Sequence, residues 1–448
     1  MKIQAKKKLS AGLCGVLALT SLIGCGNDSS SRNLMDDVPP AASSFSAPDS
    51  PAAPSFPASD SPAADAVTCT DFAVRLFQEC IAGAWEQAQK PRHSEVPQTA
   101  GNTLISPLSV MNALAMTAAG ARGQTLEQME ALFGTDLNSL RDYLHGYNDR
   151  LPSDRKYRLH LANSIWLKDS PDLTVSPDFL QTNADYFKAG LYTAPFDDST
   201  TKDINNWVSE NTEKMIPDIL DRISDNTVIY LVNALAFDAE WETIYESSQV
   251  LDGIFTCENG TARNVEMMYS EEHAYLKGTN AQGFLKFYSD GKYAFAALLP
   301  EEGISLDDYI ASLTGQGLHE MLTNYEPAAV RAAIPKFKTT WDILLNQALE
   351  SMGMTDAFDP DAADLSGLGS SPAKNLYISR VLHKTYLAVD EKGTRAGAAT
   401  AVEVRAKGAM KEPEELKIVC LDRPFLYMII DCEEKIPVFM GTVNDPTR

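Results

Sequence analysis

Glu391-Lys392-Gly393-Thr394-Arg395-Ala396-Gly397-Ala398-Ala399-Thr400-Ala401-Val402-Glu403-Val404-Arg405 alternates with period two. One set, Thr394, Ala396, Ala398, Thr400, Val402 and Val404, is small or apolar throughout. The other, Arg395, Gly397, Ala399, Ala401, Glu403 and Arg405, is charged at both ends and small in the middle. Successive side chains on a strand point to opposite faces, so the pattern describes a strand with one buried face. Ala and Gly are poor residues for a strand that stays in place. They suit a segment that slides between strands already present. On these residues alone a weak edge strand is the simpler account; the rest of the chain selects the sliding strand.

Downstream lie Val419-Cys420-Leu421-Asp422-Arg423-Pro424-Phe425-Leu426-Tyr427-Met428-Ile429 and Pro437-Val438-Phe439-Met440-Gly441. A small-residue hinge followed by an Asp-Arg-Pro-Phe strand resembles the serpin family of protease inhibitors. Further stretches fall in that family's order: Asn102-Thr103-Leu104-Ile105-Ser106-Pro107-Leu108-Ser109, Val232-Asn233-Ala234-Leu235-Ala236-Phe237 with Trp241-Glu242, Pro335-Lys336-Phe337-Lys338, Ala363-Asp364-Leu365-Ser366-Gly367 and His383-Lys384. The resemblance runs from about Thr68 to Arg448. It implies an α+β fold with a large central mixed sheet, two smaller sheets, surrounding helices and an exposed reactive-centre loop.

The same resemblance implies site residues. The hinge is Glu391, Gly393, Thr394, Ala396, Ala398 and Ala399. Counting seventeen residues inclusively from Glu391 places the scissile bond between Lys407 and Gly408. A Lys there suits a protease with an acidic primary pocket, as in trypsin. Arg405, Met410 and Lys411 stay open as baits, because Gly408 to Glu415 is longer than the family's usual return segment. Ala401, Val402 and Val404 offer further bonds to elastase-like enzymes. Arg395 departs from the acidic residue common in the family, but it falls on the solvent face. Ser106, Ser109, Asn233 and His383 match a polar group beneath the centre of the sheet, and Trp241 matches a large aromatic where the hinge first enters. Without the resemblance, His383 reads as a satisfied core histidine and Trp241 as a core residue.

The 448 residues are 44% hydrophobic and 22% charged, an ordinary globular composition with ample length for a core. A net charge of −23 argues against nucleic acid as a partner. Residues 1–24 read as a signal peptide: Lys2, Lys6, Lys7 and Lys8 precede the apolar run Leu9 to Ile23. That run is shorter than the roughly 20 residues of a spanning helix. Leu22-Ile23-Gly24-Cys25 resembles the lipobox of bacterial lipoproteins, which implies lipidation of Cys25 at a bacterial membrane. Residues 25–66, rich in Ser, Pro and Ala, read as a disordered tether, and 67–448 as the serpin domain. Cys69 and Cys80 lie eleven residues apart on one expected helix, roughly 16 Å along its axis and too far to pair.

Along the chain, Cys69 to Ile81, Ser109 to Phe133 with a break at Gly120–Gly123, Leu137 to Tyr147, Ile204 to Ile219, Leu306 to Leu313 and Leu344 to Met352 read as helices. Tyr157 to Leu167, Val228 to Phe237, Gln282 to Leu285, Tyr293 to Pro300 and three C-terminal segments read as strands. The absence of regular strand–helix alternation indicates α+β. The sequence holds no Gly-x-Ser-x-Gly elbow, no phosphate-binding loop, no His-Glu-x-x-His and no metal-ligand spacing. A catalytic function, a cofactor and a metal therefore have no support in the sequence, and the resemblance implies a monomeric inhibitor rather than an enzyme. By resemblance it traps extracellular serine proteases, with cysteine proteases a further class left open. A non-inhibitory serpin and a surface binding module are the rival readings.

Overall fold

The computed structural model describes residues 29–39, 65–88, 101–154, 157–224, 227–289, 291–371, 376–394 and 416–448. Two large sheets share one hydrophobic core. The central sheet runs β1 (Arg32–Asn33), β6 (Gly190–Ala194), β4 (Tyr157–Lys168), β7 (Ile229–Glu240), β16 (Gly393–Thr394), β15 (Arg380–Val389) and β13 (Phe337–Leu344), with β3 (Ser153–Asp154) beside β4. It is mixed: β4–β6 and β7–β15 are parallel, while β4–β7 and β13–β15 are antiparallel.

The second sheet has nine strands: β17 (Lys417–Cys420), β12 (Glu326–Pro335), β9 (Ala262–Gly278), β10 (Ala281–Phe287), β11 (Tyr293–Pro300), β18 (Phe425–Asp431), β19 (Ile436–Val443) and β2 (Thr103–Ile105), with β8 (Val250–Thr256) on β9. The two smaller sheets of the sequence reading run into one another through β9. The first half of β9 pairs with β8, its last residues pair with β10, and β12 follows it along most of its length. A two-stranded pair, β5 (Thr174–Val175) and β14 (Gly369–Ser370), completes the strands among the described residues.

The run Ile229 to Ala239 alternates between two environments, which is why it reads as apolar on both faces. Ile229, Leu231, Leu235, Phe237 and Ala239 enter the main core, whereas Tyr230, Val232 and Ala234 pack into a second cluster. Helix α2 (Pro107–Ala118) lies on the core side and is buried at every position. Ser106 caps it by accepting from the Ser109 N–H at 3.2 Å, and Pro107 occupies the first turn, where no N–H is needed. Helix α6 (Asp198–Asn211) lies on the opposite side, with Ile204 and Val208 in the second cluster. The remaining helices α1 (Ala66–Ala88), α3 (Gly123–Phe133), α4 (Leu137–Asp149), α5 (Pro177–Phe187), α7 (Leu306–Ser312), α8 (Gly315–Thr323) and α9 (Asn346–Ser351) enclose these layers.

Two expectations are corrected. The expected helix over Ile204 to Ile219 begins earlier and ends earlier. Asp197 starts it at Asp198 by accepting from the N–H groups of Ser199 and Thr200, and Glu213 and Lys214 break it with φ of 47° and 62°. Ile216 and Ile219 continue the apolar spacing, but they pack from a non-helical segment laid over the sheet. The segment 25–66 is not tether throughout: Arg32 and Asn33 pair with Thr193 and Tyr192 at the edge of β6. Free thiols among the described residues include Cys69, Cys80, Cys257 and Cys420.

Candidate functional site at the sheet seam

The site is the line along which β7 and β15 meet. From Arg380↔Tyr230 to Tyr386↔Ala236 the two strands pair directly and the sheet is closed. Beyond that they diverge, and β16 wedges between them. Thr394 pairs with Ala239 on one side and Val389 on the other, and Gly393 pairs with Glu240. Two residues of the hinge therefore already stand in the central sheet, antiparallel to both neighbours. Ala396, Ala398, Ala399, Lys407 and Gly408, with the alternative baits, lie outside the described residues, as does Cys25.

The mouth of the seam is built around Trp241. Its indole is buried, stacks on Tyr288 at 4.5 Å and donates from Nε1 to the Asp390 carbonyl at 2.9 Å. The Trp241 N–H donates to the Lys392 carbonyl and the Tyr245 N–H to the Glu391 carbonyl, both at 2.9 Å. Asp390 turns the chain by accepting from the N–H groups of Lys392 and Gly393 at 2.8 and 3.2 Å. Glu391 pairs with Lys336 at 2.9 Å, and the ammonium holds its carboxyl below the usual range. Thr394 is fully buried and hydrogen-bonds Tyr288 Oη at 2.5 Å, so the inward face expected for it is the face it occupies. A Cβ on Gly393 would stand 2.0 Å from the Ala239 carbonyl oxygen, so only glycine fits this close approach.

Lys286, not singled out from the sequence, also stands at the mouth of the seam. It is 3% exposed, its Nζ lies 2.9 Å from Glu272 Oε1, and it stands over the rings of Tyr245 and Trp241 at 4.4 and 5.4 Å. The available signal was a single cation in Phe284-Leu285-Lys286-Phe287, an otherwise apolar strand.

Midway down the seam the structure brings Ser106, Ser109, Asn233 and His383 together beneath the sheet, all buried. His383 Nε2 accepts from the Ser106 N–H at 3.0 Å, which leaves the proton on Nδ1 to donate to Asn233 Oδ1. Asn233 Nδ2 donates to Ser109 Oγ and to Asn163 Oδ1; Asn163 is the member the sequence reading omitted. Burial pulls His383 down to about 3, so the ring is neutral. Asn233 and His383 are register partners on β7 and β15, so their hydrogen bond spans the seam itself. On the opposite face Lys384 binds Asp218 at 2.6 Å, tying the segment after α6 over the same line.

The site is thus a parallel strand pair bridged beneath by Asn233 and His383 and split at one end by Gly393 and Thr394. The family described as Serpin (serine protease inhibitor) matches residues 68–446, and this chain belongs to it. Leukocyte elastase inhibitor of Xenopus laevis is 31% identical over 364 residues, covering 77% of this chain and 93% of that protein. The human leukocyte elastase inhibitor is 30% identical over 366 residues, covering 78% of this chain and 94% of its own length. The native state of tengpin, a thermophilic serpin, matches with a TM-score of 0.79 and 44% identity, covering 93% of this chain and 99% of that one. Its latent state matches with a TM-score of 0.69. The family is one of protease inhibitors, not enzymes.

Proposed function

We propose that this chain is an exported, lipid-anchored inhibitor of extracellular serine proteases that acts as a suicide substrate. The observation that carries this reading is the seated hinge. Extending the Thr394↔Ala239 register along β7 pairs Thr400 with Asn233 and Val404 with Ile229, the first residue of that strand. The inward positions are then Ala396, Ala398, Thr400, Val402 and Val404. The one polar member among these five arrives at the Asn233–His383 bridge that insertion must break. A hydroxyl delivered there replaces a lost partner for buried polar groups, which are costly to leave unpaired.

In this mechanism a protease attacks the Lys407–Gly408 bond and is acylated by Lys407. The freed loop then pairs with β7 and β15 in succession and draws the acyl-enzyme along the seam. About seven residue pairs between β7 and β15 are broken, and roughly three times as many strand pairings are made. At about 1 kcal/mol net per hydrogen bond the gain is on the order of 10 kcal/mol. The small inward side chains keep insertion fast relative to deacylation. Lipidation of Cys25 would place this chemistry at a bacterial cell surface.

The test is incubation of the chain from Gly26 onward with trypsin, followed by denaturing electrophoresis and mass spectrometry of the released peptide. A denaturation-resistant complex with cleavage after Lys407 is expected. Complete cleavage without complex by trypsin, an elastase-like and a subtilisin-like enzyme would overturn the inhibitory reading.

A further inference from the structure

The N-terminal segment supports an inference that rests on the lipid anchor proposed above. Asp203 on α6 accepts at a single oxygen from the Ser30 and Ser31 N–H groups at 3.1 and 3.0 Å and from the Ser29 and Ser30 hydroxyls at 3.2 and 3.1 Å. Arg32 and Asn33 then add a strand to the edge of β6. Asn33 Oδ1 caps the following 3-10 turn, Leu34–Asp37, by accepting from the Met35 N–H at 3.0 Å, and Leu34 and Met35 pack on the core. Charge, backbone pairing and apolar contact all hold this clip in one place.

That place is one pole of the molecule. Thr193, the partner of Arg32, is level with Leu167 on β4, and Leu167 is level with Ile229 at the start of β7. The hinge meets β7 at Ala239, near its other end. Ten residues of strand separate the two levels, roughly 33 Å. Cys25 precedes Ser29 by four residues, which reach at most about 14 Å even when fully extended. A free coil from Cys25 to Ala66 would instead have a root-mean-square span of roughly 35 Å.

We propose that the clip of Ser29–Asn33 on α6 and β6 turns a long tether into a short leash, and so holds the Thr193–Asp203 pole facing the phospholipid bilayer with the hinge pole directed away from it. Asp169, Asp172, Asp197, Asp198 and Asp203 lie on the segments at this pole with Arg32, Lys168 and Lys202, an acidic balance that offers no attraction to an anionic membrane. The leash, not surface affinity, sets the orientation. The reactive loop is thereby presented to enzymes arriving from outside. The insertion register carries the cut end of the loop toward the membrane pole.

The experiment uses the full lipidated chain in phosphatidylcholine vesicles bearing an acceptor dye at the lipid surface. A donor dye is placed through Asp172→Cys at the clip pole or Ser248→Cys beside the hinge, each combined with Cys420→Ser and Cys432→Ser. Energy transfer several-fold higher from position 172 than from position 248 is expected, with the difference lost in the vesicle-bound Asp203→Ala, Asn33→Pro variant. Equal transfer from both positions in the chain with an intact clip overturns the orientation and leaves the anchor standing. A difference that survives the unclipping substitutions overturns the role of the clip. A chain that stays off the vesicles, with no lipid on Cys25 by mass spectrometry, overturns the anchor and the orientation together.

Discussion

His383 shows how a single side chain links the seam to solution conditions. Its folded value, about 3, lies below the ordinary 6.5, so between those limits the unfolded chain binds a proton that the folded chain refuses. Stability from this group is complete above about 6.5 and is lost as pH falls toward 3, by roughly 5 kcal/mol in all. Urea unfolding at pH 7 and pH 4.5 should show a smaller acid loss for His383→Gln than for the natural chain, by about 2 kcal/mol. Parallel losses in the two proteins would place the acid sensitivity elsewhere. Thr394 poses a different test. Its side chain is fully buried, so Thr394→Arg must bring an unpaired charge into the core at a cost of several kcal/mol. Clean cleavage with little or no stable complex is expected on incubation with trypsin, and undiminished complex formation would count against insertion.

Among the elements, the two-residue β16 is the most consequential for the seam. It holds the seam open through two residues, and its position depends on the close approach of Gly393 to the Ala239 carbonyl. Gly393→Val should push β16 out of the sheet. Hydrogen exchange at the amides of Trp241 and Tyr245, which donate to hinge carbonyls, should then rise by at least about tenfold, the equivalent of 1.4 kcal/mol. Unchanged protection would mean that the hinge is held elsewhere. These elements also show what was legible beforehand. Period-two alternation announced a strand face that includes Thr394, which only the family resemblance read as a hinge, and the apolar run of β7 announced a strand buried on both sides, because both signals are local. The end of α6 was not legible, since Ile216 and Ile219 keep helical spacing while serving the same cluster from a non-helical segment. Asn163 and Lys286 were hidden for a related reason. Each acquires its role only when distant strands bring partners to it, Asn233 in one case and Trp241 with Tyr245 in the other.

At the scale of the whole molecule, a central sheet closed along seven residue pairs and split at one end has not made all the pairings its loop could supply. The intact loop cannot pass down the seam while both its ends are fixed, at Thr394 in β16 and at Lys417 in β17. A cut within it removes that constraint, so cleavage should stabilise the protein instead of weakening it. With a gain on the order of 10 kcal/mol, the midpoint of thermal unfolding should rise by roughly 10 °C. Differential scanning calorimetry before and after a single loop cut reads this directly. Thr400→Arg supplies the control, because the register sets residue 400 against the buried Asn233–His383 bridge, where a guanidinium finds no carboxylate among the groups that form it. The cut variant should gain only the part of the rise that comes from residues 395–399. A natural chain that melts at the same temperature cut and uncut would show that the seam does not take up its own loop.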